Sequence, residues 1–293
     1  MADLTSYKKL ILKNFDRLTK NQKKIAQFLL DHPEEIALSS IDTIADKLNV
    51  GKATVVRLAQ SLGYKGFLEL KTELTNRLRD DISPSKKLKA ALKNSHLRSK
   101  FLTTIATDEI QNIQETLYSM DQAAFDKAVK ILKDASHIYT MGLGISAYLS
   151  QLAAYFLNKL SLKASAFGHG SFSFHEQILS LSPKDALIAI SLPPYSIETI
   201  KGAEVAQSRG IKVISITDKL ISPITKYSDV VFPVKTNNIV FINSIGAIFV
   251  IIYALATGLG LSDKESALKA LEQFENAQSD FGFDVRKDFF AKP

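Results

Sequence analysis

From His137 onward, short apolar runs alternate with helix-length stretches. HIYTMG is followed by a helical pattern over 146–159, LKASAF by one over 172–181, and DALIAIS by one over 195–208. IKVISITD leads into a short SPITKYSD turn, and DVVFPV into a long apolar helix. Parallel strands cannot be joined by a tight turn, so each crossover carries a helix that covers one face of the sheet. Strands buried on both faces then become near-continuous runs of Val and Ile. The alternation therefore predicts an α/β domain with a doubly wound, five-stranded parallel sheet.

The first eighty residues have helix periodicity and no strand pattern, which predicts a separate all-α domain. Leu10, Ile11, Phe15 and Leu18 share one apolar face. Thr19 or Asn21 is placed to cap a helix carrying Ile25, Phe28 and Leu29, with Pro33 after its end. Ser40 is placed to cap a short helix carrying Ile41, Ile44, Ala45 and Leu48. Asn49, Val50 and Gly51 make a tight turn, a second helix runs from Thr54 to Leu62, and Gly63 stops it. Gly66 precedes a third amphipathic segment.

A short helix, a four-residue turn and a second helix is the geometry that seats a recognition helix in the major groove. Lys52, Thr54, Arg57, Gln60 and Ser61 lie along that second helix, between which Val55, Val56, Leu58 and Ala59 supply inward packing. Arg57 suits guanine O6 and N7, and Thr54 a phosphate or a thymine methyl. Lys20, Lys23, Lys24, Lys47 and Lys65 suit backbone phosphates. Charge points the same way. Residues 1–90 carry 17 Lys and Arg against 11 Asp and Glu, whereas 91–293 carry 20 against 19. The positive excess sits in the first third, and a polyanion such as double-stranded DNA is the expected partner. A plain helical bundle with a charged exterior is the alternative that spacing alone leaves open.

The stretch SIDTIADKLNVGKATVVRLAQSLGYKGFLELK resembles the helix-turn-helix of the RpiR family of bacterial transcriptional regulators. Ser40-Ile41, Val50, Thr54-Val55, Arg57, Leu62-Gly63-Tyr64, Gly66-Phe67 and Leu70-Lys71 carry the likeness. Gly51 stands where that family usually has Ser, which removes one hydroxyl able to contact phosphate or cap the helix.

In the α/β part, MGLGIS puts Gly142, Gly144 and Ser146 between a strand and a helix. Glycines there let backbone N–H groups approach an anion, and the helix dipole favours negative charge. No third glycine follows at the dinucleotide offset, so a nicotinamide cofactor is not expected, nor any other cofactor. ISLPPYSIET forms a second such loop. Ser191 ends a strand, and Tyr195, Ser196, Glu198 and Thr199 lead into the next helix. Ligands of open α/β sheets sit outside the carboxyl ends of the strands, so both loops should open on one crevice. His169, in FGHGSFSFHEQ, faces the same crevice if the topology holds, and His175 and Glu176 follow it.

Residues from about 120 to 260 resemble the sugar isomerase (SIS) domain that accompanies this helix-turn-helix in the RpiR family. The SIS second loop often reads Ser-x-Ser-Gly-x-Thr-x-Glu-Thr. Ser191, Ser196, Glu198 and Thr199 fit it, while Pro193 and Pro194 replace the middle Ser and Gly. The resemblance implies a phosphosugar-like effector held by Gly142, Gly144, Ser146, His169, Ser191, Tyr195, Ser196 and Glu198. A vestigial pocket or a different ligand are the other readings of the altered loop.

Two histidines at this spacing without a third ligand do not make a metal site, and packing or surface roles serve them equally. A sugar-phosphate isomerase needs a general base near the sugar, for which Glu176, Glu198 and His169 are nominal candidates. An enzyme has no use for a basic helix-turn-helix, so a regulator is expected. Residues 239–258 are long enough to cross a bilayer, but Asn243, Ser244 and Gly246 interrupt them and no Lys/Arg cluster flanks them. A helix buried in a core or in a dimer interface is expected instead, with no membrane partner. The absence of cysteine and of an export-like N-terminus fits a cytoplasmic protein. The expected organisation is a DNA-binding domain over 1–80, a linker and connecting helix over 81–119, an effector domain over 120–275 and a tail over 276–293, assembled as a homodimer or tetramer.

Overall fold

The computed structural model describes residues 6–81, 84–92, 95–168, 170, 172–238 and 243–280. The chain forms two compact units, residues 1–94 with 221–223 and residues 95–220 with 224–293.

The first unit is helical: α1 (Ser6–Asn14), α2 (Lys20–Asp31), α3 (Pro33–Leu38), α4 (Ile41–Lys47), α5 (Lys52–Ser61), α6 (Phe67–Asp81) and α7 (Pro84–Leu92). Thr19, rather than Asn21, caps α2, in a reciprocal box with Gln22 that satisfies two free amides. Pro33 does more than follow that helix. It occupies the first turn of α3, where its missing N–H is no loss. Pro84 likewise opens α7, so part of the stretch read as a linker is helical. Ile11, Ile25, Leu29, Ile44, Leu58 and Leu62 are fully enclosed and bind α1, α2, α4 and α5 around one core. Burying each such side chain stabilises by about 1.5–3 kcal/mol.

The second unit opens with α8 (Ser95–Tyr118) and α9 (Gln122–Asp134). Then follow β1 (Ile138–Met141), α10 (Ile145–Lys159), β2 (Ala164–Ala166), α11 (Phe174–Ile178), β3 (Ala186–Ser191), α12 (Ile197–Ser208), β4 (Lys212–Thr217), β5 (Val230–Pro233), α13 (Gly246–Ser262) and α14 (Lys264–Asp280). All strand pairs are parallel, in the order β2-β1-β3-β4-β5. The expected five-stranded sheet is present. Its faces follow from period-two alternation. Ile188, Ile190, Ile214 and Ile216 pack with α9, α10 and α13, while Leu187, Ala189 and Val213 pack with α11 and α12. The free edge of β2 is blunted: the Asn158 side chain donates to Ala164 O at 2.8 Å and accepts from Ala164 N at 3.2 Å.

Within the apolar segment expected at 239–258, Gly246 opens α13, whose Ile248, Ile251, Ile252 and Leu255 are buried in the sheet core. Residues 239–242 lie outside the described residues. Among the described residues no single helix is long and apolar enough to cross a membrane.

Candidate functional site

In the first unit the helix-turn-helix is built as its sequence implies. The Ser40 hydroxyl accepts from Thr43 N at 3.1 Å and caps α4. Asn49, at φ 47°, reverses the chain, and Val50 N donates back to Ala45 O at 2.9 Å. This closes α4 in the left-handed turn that Asn tolerates. Gly51 then precedes α5 with ordinary backbone angles and no side-chain cap. A Cβ there would meet only Thr54 Oγ1, at 3.8 Å, so a serine would fit.

α5 buries Val55, Leu58 and Ala59, which turns Lys52, Arg57, Gln60 and Ser61 outward and leaves Thr54 half-buried. Not every predicted contact is equally available. Lys52 pairs with Asp42, and that hydrogen bond raises its pKa. The Ser61 hydroxyl donates to Leu58 O at 2.7 Å. Lys24 donates to Leu48 O at 2.6 Å, where a cation completes the carboxyl end of α4. Lys47 pairs with Glu35. Arg57, Gln60 and Lys65 project from the unit as exposed side chains.

In the second unit the chain runs from the interior strand β1 outward to the edge strand β2 and then returns to β3 on the other side of β1. The loops after β1 and β3 therefore diverge at the topological switch point, where an α/β sheet opens a crevice. The β1 loop depends on both its glycines. A Cβ on Gly142 would lie 2.6 Å from both Cβ and O of Ser146. Gly144, which starts α10, has φ 60° and ψ −128°, a region open almost only to glycine. Ser146 is buried in the first turn of α10.

On the β3 side, Ser196 caps α12, its hydroxyl accepting from Thr199 N at 3.2 Å. Tyr195 donates to Asp218 Oδ1 at 2.6 Å, which ties the loop to the end of β4. Burial raises the Asp218 pKa, and the Tyr195 hydrogen bond opposes that rise. The Pro193–Pro194 peptide is cis, and Asn243 Nδ2 donates to Pro193 O at 2.8 Å. The altered loop is thus held from two sides.

Beneath it lies a group of hydroxyls. Ser191, Thr199 and Ser215 are 3%, 1% and 0% exposed, and their oxygens have no hydrogen-bond partner among the described residues. Ser191 pairs with Thr217 and Ala189 with Ser215, so Ser191 and Ser215 share the α12 side of the sheet near its carboxyl end. Leaving a buried hydroxyl unsatisfied costs about 1–3 kcal/mol. Ser215 and Asp218 were not singled out from sequence. The polar i, i+2 pair Ser215 and Thr217 inside an otherwise apolar strand was the available signal.

Two predicted effector contacts are engaged elsewhere or undetermined. Glu198 accepts from Phe174 N at 3.0 Å and bridges α12 to the start of α11. His169 lies outside the described residues. Glu176, a nominal base, accepts from Ser173 N and Oγ at 2.7 and 2.8 Å, and the backbone bond first, then the hydroxyl, lowers its pKa. A carboxylate so held is a weak base. A cavity of about 370 Å³ lies elsewhere, between the β2 edge and α11, lined by Tyr139, Phe167, Phe172 and Gln177 among others. Glu176 lines it, whereas Gly142, Gly144, Ser146, Ser191, Tyr195, Ser196 and Glu198 do not. No group of three metal-ligating side chains occurs among the described residues.

Comparison with known proteins covers both units. The family description "Helix-turn-helix domain, rpiR family" matches residues 5–81, and "SIS domain" matches 131–258. An uncharacterized HTH-type transcriptional regulator of Haemophilus influenzae is 32% identical over 221 residues, spanning 74% of this chain and 75% of that one. The fold matches the Vibrio vulnificus NanR protein complexed with ManNAc-6P (TM-score 0.66, 20% identity, 94% of this chain and 99% of that chain). It also matches the sugar isomerase domain of an RpiR transcription factor from Sphaerobacter thermophilus (TM-score 0.58, 23% identity, 60% of this chain and 99% of that chain). With a helix-turn-helix in its first unit and a SIS domain in its second, the chain belongs to the RpiR family of transcriptional regulators.

Proposed function

We propose that this regulator binds operator DNA through α5 and takes a phosphosugar-like effector in the crevice between the β1 and β3 loops, changing its operator affinity. The reading rests on the buried, unpartnered hydroxyls of Ser191 at the end of β3, Ser215 in β4 and Thr199 in the first turn of α12, together with the glycine loop that opens α10 after β1. Hydroxyls and helix-start amides are neutral donors suited to a phosphate monoester. The NanR structure, with its bound ManNAc-6P, supports the ligand class by similarity of fold. The regulator works in the cytoplasm, where phosphosugars are found.

A thermal-shift panel of hexose and pentose phosphates, ManNAc-6P included, tests this. A phosphorylated sugar is expected to stabilise the protein by about 2.7 kcal/mol at a hundredfold excess over Kd, its unphosphorylated parent much less. Ser191→Ala should leave the ligand-free melting point unchanged or slightly higher, because it removes an unsatisfied buried hydroxyl. It should also erase the ligand shift. A panel without a shift, or a shift that survives in Ser191→Ala, rejects the reading.

The same proposal includes a homodimer or tetramer. α10 and α13 together contain one charged residue, Lys159, yet both reach the surface. Tyr148 is 70% and Tyr253 56% exposed, and Phe249 stacks on Tyr253. A two-fold interface sets a surface against itself, so an aromatic face with a single charge suits a second copy. Tyr148→Lys with Tyr253→Lys is expected to shift the protein toward monomer in sedimentation; an unchanged oligomer places the interface elsewhere.

A further inference from the structure

α8 is the helix through which the second unit connects in sequence to the first, and one of its faces carries three polar side chains at i, i+3 and i+7. Glu109 Oε2 accepts from Ser244 Oγ at 2.7 Å and from Gly246 N at 3.1 Å. Asn112 donates to Asn237 O at 2.7 Å and accepts from Asn237 N at 3.1 Å. Thr116 Oγ1 accepts from Lys235 N at 2.9 Å. Asn112 and Thr116 are each 1% exposed. Such bonds fix a helix against backbone more sharply than apolar packing, because each leaves a buried group unsatisfied if it slips.

Glu109 has a particular place among them. α13 has no side-chain cap of its own, and its first amide is taken by this carboxylate from another helix. A Cβ on Gly246 would overlap the Glu109 carboxylate, so glycine is what admits the contact. One residue before Ser244, Asn243 holds Pro193 O in the effector loop. An unbroken series of hydrogen-bonded neighbours therefore runs from the β3 loop, through Asn243 to Gly246, into α8. Toward its N-terminal end α8 is interrupted at Lys100, whose φ of −134° and ψ of 24° are not helical.

We propose that Glu109 is the positioning residue that couples the effector crevice to α8, so that a shift of the Pro193 loop moves the start of α13 and, through this carboxylate, the helix leading to the DNA-reading unit. The proposal rests on the effector reading above. It names the regulation of that same site, and it needs a two-state element biased from both ends, not mere proximity.

The test uses the full chain as Glu109→Ala, Glu109→Gln and Gly246→Ala, the last breaking the contact from the opposite side. Amide hydrogen exchange without any ligand is the first readout. Glu109→Ala and Gly246→Ala are expected to speed exchange over residues 192–199, which Glu109 does not touch, by about fivefold or more, the lower end of usual coupling. Glu109→Gln, whose amide oxygen can accept the same two bonds, should restore protection. Changes confined to 105–113 and 243–250 would show a local cap and overturn the proposal. The second readout is affinity for the protein's own upstream DNA with and without ManNAc-6P. Where wild type responds to this probe, Glu109→Ala should still bind it, within about threefold, yet lose most of the DNA response, since coupling and affinity are separable. A retained response also overturns the proposal. If wild type ignores ManNAc-6P, the effector reading loses support on its own account, and the exchange experiment still decides the role of Glu109.

Discussion

Arg57→Ala is expected to weaken operator binding by roughly 1–3 kcal/mol, about 5- to 150-fold, and to blur base preference. Arg57 lies on the outward face of α5, opposite the buried Val55, Leu58 and Ala59. Truncating it leaves the core untouched, so the melting point should move by less than about 0.5 kcal/mol in stability terms. The guanidinium is what matters on this reading, because its planar fork pairs with two acceptors of guanine at once. Arg57→Lys keeps the charge and loses the fork. It should therefore recover non-selective binding at low salt without recovering selectivity. Lys65→Ala, by contrast, should weaken binding to all sequences alike and flatten the salt dependence by about one unit of slope. Anisotropy titrations against the upstream fragment and a scrambled duplex, at two salt concentrations, separate these outcomes. If Arg57→Ala keeps its full preference for the fragment over the scramble, Arg57 does not read bases.

What could be read from sequence, and what could not, divides along a physical line. The strands were legible because a parallel strand buried on both faces must be almost wholly apolar, as in DALIAIS and IKVISITD. The α4 cap was legible because Ser40 acts on Thr43, three residues away. Local chemistry was ambiguous where one residue serves two opposite purposes. Pro33 follows α2 and opens α3, and only the chain beyond it decides which role it takes. Illegible altogether were contacts between elements. Tyr195 meets Asp218, 23 residues on, because β3 and β4 pair in a particular register. Glu198 looks like a crevice group in its loop but reaches the start of α11, and Lys24 looks like a phosphate ligand but closes α4. Each depends on how helices cross, which periodicity does not encode. The loops themselves were therefore legible, and the tasks of single side chains within them became visible only in three dimensions.

The steepest structural demand in the second unit falls on Gly142, and Gly142→Ala is the substitution expected to damage it most. The added methyl would sit 2.6 Å from Ser146 Cβ and O and 2.7 Å from its carbonyl carbon. A flexible side chain could rotate away, but two of those three atoms are backbone inside the first turn of α10. Relief therefore requires the end of β1 and the start of α10 to separate. Both are packed into the sheet, β1 between β2 and β3, and α10 through Leu149, Ala153 and Leu157. Overpacking of this kind costs about 1–3 kcal/mol, with more where the backbone cannot shift. Gly144→Ala makes an instructive control. It meets nothing within 4 Å but must hold φ at +60°, so its penalty of about 1–3 kcal/mol comes from backbone strain and not from collision. The loss in Gly142→Ala should appear in thermal unfolding of the second unit, followed by near-ultraviolet dichroism of its tyrosines, and should abolish any phosphosugar shift because Ser146 moves with the helix. Effector-free DNA affinity should persist, since α4 and α5 pack on a separate core. An unchanged melting point would mean that the β1 loop yields freely, and a loop that yields freely cannot hold its amides in place for an anion.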